Sequence, residues 1–345
     1  MTSRRISFRK RAAMTPSPWP VPSLSTSAAL AEWLGVALNE LDWLADCQGR
    51  LATGPAKLQH YTYRWLAKRT GKARLLEMPK QRLKAIQRRI LHEILDCIPP
   101  HDAAHGYRRG RSIASFVACH TGRGIVLRFD LREFFPSIRA SRVHALFTKA
   151  GYPRLVSRLL TALCTTVASY EFAPAYDIYR SRHLPQGAPT SPALANLCAY
   201  RLDCRLAGLA RKIEAKYTRY ADDLAFSGGK ELERCARRFQ VHVCRIALEE
   251  GFEVHTYKSR FMRPSVRQQL AGVVLNAHPN VPRTEYDQLK AILCNCARDG
   301  PLPQNRDSHV DFRGHLLGRI AYVGMLNPRR GIKLRGLFER ISWQS

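Results

Sequence analysis

From Ser27 onward, the hydrophobic positions of this chain alternate between helical and extended spacing. Leu30, Leu34, Leu38, Leu41 and Ala45 share one helical face. Tyr61–Leu76 predicts a strand, a turn at Gly71 and a second strand. Lys80–Leu95 predicts a basic amphipathic helix with Leu83, Ile86, Ile90 and Ile94 inward, and Gly106–Gly110 reads as a turn. Gly124–Asp130 has the period of a strand: Ile125, Leu127 and Phe129 point one way, Val126, Arg128 and Asp130 the other. Ser141 is placed to cap a short helix that stops at Gly151, and a longer helix is expected from Pro153 to about Val167. Ser191-Pro192 predicts an N-cap and a first-turn proline, opening a helix with the stripe Leu194, Leu197, Cys198, Leu202, Leu206 and Leu209. Lys216–Ser227 predicts a hairpin with two aspartates at its turn, Leu232–Glu250 a helix ended by Gly251, and Phe252–Val274 a strand-rich stretch. Thr284-x-x-Asp287 resembles a capping box for a helix carrying Leu289, Ile292, Leu293 and Cys296. Helices over about 312–325 and 333–342 finish the chain, and no internal repeat is visible.

The first residues differ in kind. Residues 1–13 carry Arg4, Arg5, Arg9, Lys10 and Arg11, and Pro16–Pro22 holds four prolines in seven residues, the composition of a disordered basic tail and a stiff linker. Across the chain, 56 Lys and Arg stand against 27 Asp and Glu, a formal charge of +29. That excess points to a polyanionic partner, because phosphate binding releases counterions. It does not say which nucleic acid. No run of 18 apolar residues is present, so no membrane span is expected, and no signal-peptide pattern opens the chain. The ten cysteines include no CxxC pair. This disfavours a zinc module and suits the buried thiols of a reduced, cytoplasmic protein. A DNA-binding regulator finds no support in a helix-turn-helix or zinc pattern.

Two carboxylate loci carry the candidate chemistry. Tyr220-Ala221-Asp222-Asp223 is flanked by Tyr217 before it and Leu224 and Phe226 after it, a pattern that presents acids at a hairpin tip. On its own an Asp-Asp pair is more often a solvated turn. Asp130 ends an apolar strand, where an unpaired buried carboxylate is costly. Taken alone it could be a strand-end cap or the partner of Arg128 or Arg132. Together, the two loci could hold two hard divalent cations about 3.5–4 Å apart, which prefer oxygen ligands and can activate a 3′-hydroxyl and stabilise a leaving pyrophosphate.

Three segments in order resemble the palm motifs of reverse transcriptases: Phe129-Asp130-Leu131-Arg132-Glu133-Phe134-Phe135-Pro136-Ser137-Ile138, Leu184-Pro185-Gln186-Gly187-Ala188-Pro189-Thr190-Ser191-Pro192, and Tyr220-Ala221-Asp222-Asp223. The similarity runs from about residue 28 to 343 and is greatest to the bacterial retron type. Leu30–Leu44 resembles its leading helical segment, Lys68 to Lys84 its fingers, and His315–Tyr322 with Asn327-Pro328 its thumb. Two departures stand out. The retron segment Asn-Ala-x-x-His falls at Phe116–His120, where only His120 matches, and a Val-Thr-Gly segment reads Leu270-Ala271-Gly272.

The resemblance implies an α/β (α+β) right-hand polymerase with fingers, palm and helical thumb. On this chain that gives a tail over 1–26, an N-terminal helical segment and fingers over 27–123, a palm with a fingers insertion over 124–276, and a thumb over 277–345. It implies that Asp130, Asp222, Asp223 and the Leu131 carbonyl face two Mg2+ ions, with Mn2+ as an alternative. Lys258 would stand near the leaving pyrophosphate as a general acid. Lys68, Lys72 and Arg74 would hold the triphosphate of a dNTP, Gln186 and Gly187 would contact nucleotide and template, and Phe135 would exclude a ribose 2′-hydroxyl. Arg313, Arg319, Arg329, Arg330 and Lys333 would hold RNA. Without the motif, Phe135 reads as a core aromatic beside Phe134 and the basic residues as solvated charges. The implied partners are a structured noncoding RNA serving as template and primer, its linked DNA product (msDNA), a separate effector protein of an anti-phage system, and a host ribonuclease H. A reverse transcriptase of another defence lineage, or a non-catalytic RNA-binding protein on a polymerase shell, are the alternatives. Because the chain ends soon after the thumb motif, no splicing, endonuclease or fused ribonuclease H module is expected.

Overall fold

In a computed structural model, which describes residues 17–67, 73–168 and 177–343, the first apolar run folds as two helices rather than one. Gly35 takes a left-handed φ of 68° and ends α1 (Ser27–Leu34), and α2 (Leu38–Ala45) starts afresh. Leu30, Leu34, Leu41 and Ala45 are buried as expected, but Leu38 is exposed, because the break rotates it out of line. Next come β1 (Tyr61–Leu66), β2 (Arg74–Pro79) and α3 (Gln81–Glu93), then α4 (Ile113–Ala118) and β3 (Ile125–Asp130). The turn at Gly71 and the tail over 1–16 lie outside the described residues. Four helices follow: α5 (Ala140–Lys149), α6 (Arg154–Cys164), α7 (Asp177–Arg180) and α8 (Ser191–Cys198). The remainder is α9 (Tyr200–Arg211), β4 (Lys216–Tyr220), β5 (Asp223–Gly228), α10 (Lys230–Glu249), β6 (Arg260–Met262), β7 (Gln269–Leu270), β8 (Val273–Val274), α11 (Arg283–Asp299), α12 (Phe312–Leu326) and α13 (Pro328–Phe338).

Several element ends differ from expectation. Ser141 does not cap α5: Arg139 is the N-cap residue, and its guanidinium is fixed on the Ile178 carbonyl at 2.6 Å. α6 stops at Cys164 because Thr166 pairs with His183. Thr190, not Ser191, is the N-cap of α8, and the expected single stripe is broken at Ala199. The Thr284 box does not form, since α11 starts after Pro282, whose extended ψ of 140° sets the helix entry. The strand-rich stretch over 252–274 reduces to β6, β7 and β8, and the last helix begins at Pro328 rather than near 333.

The chain forms two compact units. The first holds residues up to Pro100 together with Glu133–Tyr200. Its centre is α6, on which α1, α2, α3 and α5 pack. Val156, Leu160 and Leu163 are fully buried there. Buried hydroxyls on the same helix are satisfied along it, Thr161 donating to the Ser157 carbonyl at 2.6 Å and Thr165 to that of Thr161 at 2.7 Å. β1 and β2 form a two-stranded antiparallel ribbon from Tyr61↔Pro79 to Leu66↔Arg74.

The second unit holds His101–Arg132 and the chain from Arg201 onward. Its four-stranded antiparallel sheet has the order β4-β5-β3-β6. Both faces of β3 are covered, which is why its apolar residues do not alternate with solvent-facing ones. α10 packs against β3 and β5 on one face, with the Phe239 ring edge-on to Phe226 at 5.0 Å. On the other face Val126 and Ala225 join a core with Phe116 of α4, Leu293 of α11, Leu316 of α12 and Leu334 of α13. α12 and α13 meet closely where Gly324 faces Gly331: a Cβ on Gly331 would lie 2.5 Å from the Gly324 Cα.

His120 ties α4 to this sheet. Its Nδ1 lies 2.7 Å from the Ser227 hydroxyl and its Nε2 2.7 Å from that of Thr218. Burial, then His105, Arg123 and Lys216 nearby, lowers its pKa to about 3. The folded state therefore keeps it neutral, while the unfolded chain takes a proton below about pH 6.5. Stability is unaffected above that pH and is lost as pH falls through and below it, by about 2 kcal/mol at pH 5. Denaturant unfolding at pH 7 and 5 is expected to show this loss in the wild type and to show it reduced in His120→Gln. Equal losses in both proteins would remove His120 as the cause.

Candidate active site

The sheet brings the two carboxylate loci together. In the ladder between β3 and β5, Asp130 is directly opposite Asp223, which puts the two Cα atoms about 5 Å apart. β4 and β5 are joined by the two-residue loop Ala221-Asp222, since Tyr220 pairs with Asp223. Ala221 has a left-handed φ of 55°, a conformation that costs a non-glycine residue roughly 1–2 kcal/mol. The Leu131 amide donates to the Asp222 carbonyl at 2.9 Å, which fastens the loop to the end of β3. Asp130, Asp222 and Asp223 thus gather at one end of the sheet.

The charges are arranged around these acids in a way the sequence did not specify. Lys258, in a turn over Thr256–Lys258, reaches both oxygens of Asp130 at 3.0 and 3.2 Å. Arg128 binds Asp223, with Nε at 2.8 Å, and Arg132 pairs with Glu253 at 2.5 Å. Neither arginine is therefore the salt-bridge partner of Asp130. Asp130 is only 7% exposed, and its own backbone carbonyl accepts from the His255 amide at 2.7 Å. Burial raises the Asp223 carboxyl to about 6 against the opposing pull of Arg128, with Asp222 and then Asp130 adding to the rise. Three acids crowded in a partly desolvated site are the donor set hard divalent cations prefer. Among the described residues no three such side chains are already drawn in as a closed cage. Asp130 and Asp223 are held by Lys258 and Arg128 instead.

The nucleotide-side candidates belong to the first unit. Gln186 and Gly187 run alongside β2: the Glu77 amide donates to the Gln186 carbonyl at 2.8 Å, and a Cβ on Gly187 would stand 3.1 Å from the Glu77 carbonyl oxygen. Gly187 has φ 130°, so the close approach and the backbone both require glycine. The Gln186 Oε1 is buried with no hydrogen-bond partner, a group that a bound donor would satisfy. Under this loop the fully buried His183 Nε2 meets the Glu77 carboxylate at 3.0 Å, and Tyr179 is edge-on to His183. Phe134 is core at 3% exposed, while Phe135 is half-buried with its ring 5.5 Å from that of Phe134. Arg74 is exposed at the start of β2, and Lys68 and Lys72 lie outside the described residues.

Of the C-terminal basic residues, Arg329 and Lys333 are exposed on α13. Arg330 instead lies over the Tyr286 ring at 4.7 Å, so it does not project with Arg329. Arg313 is exposed with its guanidinium 5.8 Å from the Trp343 ring centre. Arg319 lines a groove of 430 Å³ with His315 and Tyr322. At the two departures from the retron segments, Phe116 is core and His120 is the anchor described above. Ala271 and Gly272, with φ 46° and 84°, form the two-residue turn between β7 and β8, the geometry of a type I′ hairpin.

Two buried pairs, Glu77–His183 and Asp203–Arg219, lie outside what the motifs predict. The second had a signal: a charged Arg219 inside a hairpin strand and Asp203 beside the Leu202 and Leu206 stripe both need partners when buried.

Comparison with known proteins agrees with the motifs and their geometry. Residues 66–291 match the family described as reverse transcriptase (RNA-dependent DNA polymerase). The chain is 38% identical to the Retron Mx65 reverse transcriptase of Myxococcus xanthus, over 91% of this chain and 71% of that one. It is 35% identical to the Retron Mx162 reverse transcriptase of the same organism, over 89% and 65%. It is 33% identical to the Retron Ec86 reverse transcriptase of Escherichia coli, over 75% and 78%. Among the described residues no helix is long and apolar enough to cross a membrane. With Asp130, Asp222 and Asp223 gathered on one sheet and these relatives alongside, the chain belongs to the RNA-directed DNA polymerases of the bacterial retron type.

Proposed function

We propose that this chain copies a structured noncoding RNA into DNA by adding deoxynucleotides to a growing end at Asp130, Asp222 and Asp223. The observation that carries the reading is the register of Asp130 against Asp223 with Asp222 in the adjoining loop. Two Mg2+ ions, or Mn2+ in their place, would be held there and would supply activation of the attacking hydroxyl and neutralisation of the leaving pyrophosphate. Leu131 would add a carbonyl ligand. In the transfer the hydroxyl would lose its proton to solvent, its oxygen would bond to the α-phosphorus and the bond to pyrophosphate would break. Lys258, half exposed, would be released from Asp130 once cations take its place there, and its ammonium would turn toward the pyrophosphate and donate a proton. Gln186 and Gly187 would seat the nucleotide, with Arg74, Lys68 and Lys72 on its phosphates and Phe135 against its sugar.

In this reading fingers, palm and thumb follow the division given by the resemblance, and α12 and α13 hold the duplex. Retron-type priming starts from a 2′-hydroxyl of a guanosine in the same RNA, so the DNA product stays joined to RNA. The charge of +29 supports a nucleic-acid partner. An effector protein, a host ribonuclease H, a role in anti-phage defence and a cytoplasmic setting belong to the same reading. Sequencing the nucleic acid that copurifies with the protein tests it. A single RNA species covalently joined to DNA is expected, and DNA extended only from ordinary 3′ ends would overturn retron-type priming.

The exposed pair on α13 gives a second test. Arg329→Ala with Lys333→Ala is expected to weaken binding of structured RNA and to lower the slope of log affinity against log salt by about 2. Parallel slopes at equal affinity would mean that these residues do not touch phosphate.

A further inference from the structure

The loop that carries Asp222 is fixed from behind by groups with no place in the reaction as described. Asp203 on α9 and Arg219 on β4 are both completely buried. Arg219 donates to both oxygens of Asp203, Nε at 2.8 Å and Nη2 at 2.6 Å, and Tyr217 donates to the same carboxylate at 2.7 Å. The remaining guanidinium nitrogen, Nη1, donates to the carbonyl of Ala221 at 3.1 Å. Ala221 is the strained residue next to Asp222.

The opposite edge of β4 is held as well. The Arg219 amide donates to the Ala103 carbonyl at 2.7 Å, and the His105 amide donates to the Arg219 carbonyl at 2.8 Å. The next residue, Gly106, is so close to the loop that a Cβ there would stand 2.8 Å from the Ala221 nitrogen. Ala221 is therefore gripped at its carbonyl by Arg219 and crowded at its nitrogen by Gly106. A strained backbone persists where its surroundings over-determine it.

A buried ion pair is weak evidence for stability, because an apolar pair of similar volume often serves as well. This one has a geometric property an apolar pair lacks. The guanidinium is planar, and fixing two of its nitrogens on Asp203 also fixes the direction of the third. From these contacts we infer that Asp203 and Arg219 are positioning residues that set the location of Asp222 through the Ala221 carbonyl, with Gly106 as the wall on the other side. The inference rests on Asp222 acting in polymerisation.

The test compares three proteins with the wild type. Asp203→Val with Arg219→Met removes both charges and leaves an apolar pair of similar size. Arg219→Lys keeps the charge but loses the planar fork that aims a nitrogen at the Ala221 carbonyl. Gly106→Ala pushes the loop without touching the pair. Each is assayed for melting temperature, RNA affinity, kcat and KM for dNTP, and binding of Mn2+ to the protein alone by titration. The expected result is kcat lowered on the order of 10²-fold, with weaker Mn2+ binding. The KM for dNTP and the RNA affinity should stay within about threefold, and the melting temperature within a few degrees.

Wild-type kcat and Mn2+ binding in the apolar pair would overturn the inference and leave Asp203 and Arg219 as packing. If that protein does not fold, Arg219→Lys decides in the same way. If neither folds, the pair is a folding element and the inference fails. Failure of the underlying reading looks different: Asp222→Asn would then incorporate dNTP like the wild type.

Discussion

Asp222→Asn is expected to lower dNTP incorporation by on the order of 10³-fold or more while leaving RNA affinity near the wild-type value. The reason lies in where the charge sits. Asp222 stands in a two-residue loop whose backbone is held by Leu131 and Arg219, so the substitution removes an oxygen ligand without loosening the hairpin. RNA affinity is dominated by the chain's 56 basic residues, and one neutralised carboxylate changes that field little. Asp130→Asn is expected to match it in activity and to release Lys258 from its strongest partner. Incorporation and RNA binding are measured on the same preparations. Wild-type-like incorporation by Asp222→Asn would end the assignment of this cluster as the catalytic centre.

The second large effect concerns the sugar. Phe134 and Phe135 are adjacent aromatics with different surroundings, the first in the core and the second half-buried. Phe135→Val is expected to raise the efficiency for rNTP relative to dNTP by about 10- to 100-fold, the scale on which a lost steric contact changes discrimination. Phe134→Ala is the control. It is expected to destabilise by about 3–5 kcal/mol with the sugar preference unchanged. The readout is the ratio of kcat/KM values for the two nucleotide classes, alongside melting temperature. If Phe135→Val leaves that ratio at the wild-type value, Phe135 is a packing residue and the gate is elsewhere.

The meeting of the two carboxylate loci was legible in the sequence for a physical reason. A carboxylate at the end of an apolar strand and a pair of acids between aromatic strand residues are local statements, and the ladder of β3 with β5 realises both. The period-two reading of Ile125, Leu127 and Phe129 held because strand faces alternate whatever covers them. Helix starts were less legible. Ser141, Ser191 and Thr284 look like caps, but the chain enters each helix a residue or two earlier, at Arg139, Thr190 and Pro282. There the neighbouring backbone, not the side chain, decides the entry. Least legible were the pairs made at a distance. Glu77 and His183 are separated by 106 residues, and nothing local selects one acid from 27 or one histidine from 12 as a partner. Arg330 shows the same limit: the run Asn327-Pro328-Arg329-Arg330 does not reveal that the second arginine covers Tyr286 while the first stays in solvent.

The ladder around β3 also has a consequence for length. β3 is paired on both edges, with β5 from Ile125↔Gly228 to Asp130↔Asp223 and with β6 from Val126↔Met262 to Arg128↔Arg260. A deletion of one residue within it would exchange its two faces, sending Phe129 toward the acids and Asp130 toward Phe226 and Phe239. Neither neighbour could follow, because each is registered on the unaltered part of the strand. Many side chains here can change size and the sheet will still form, but the count of residues between Gly124 and Asp130 cannot change by one. An insertion is expected to be borne better before Gly124, outside the ladder, than within it, because it would not turn an acid inward.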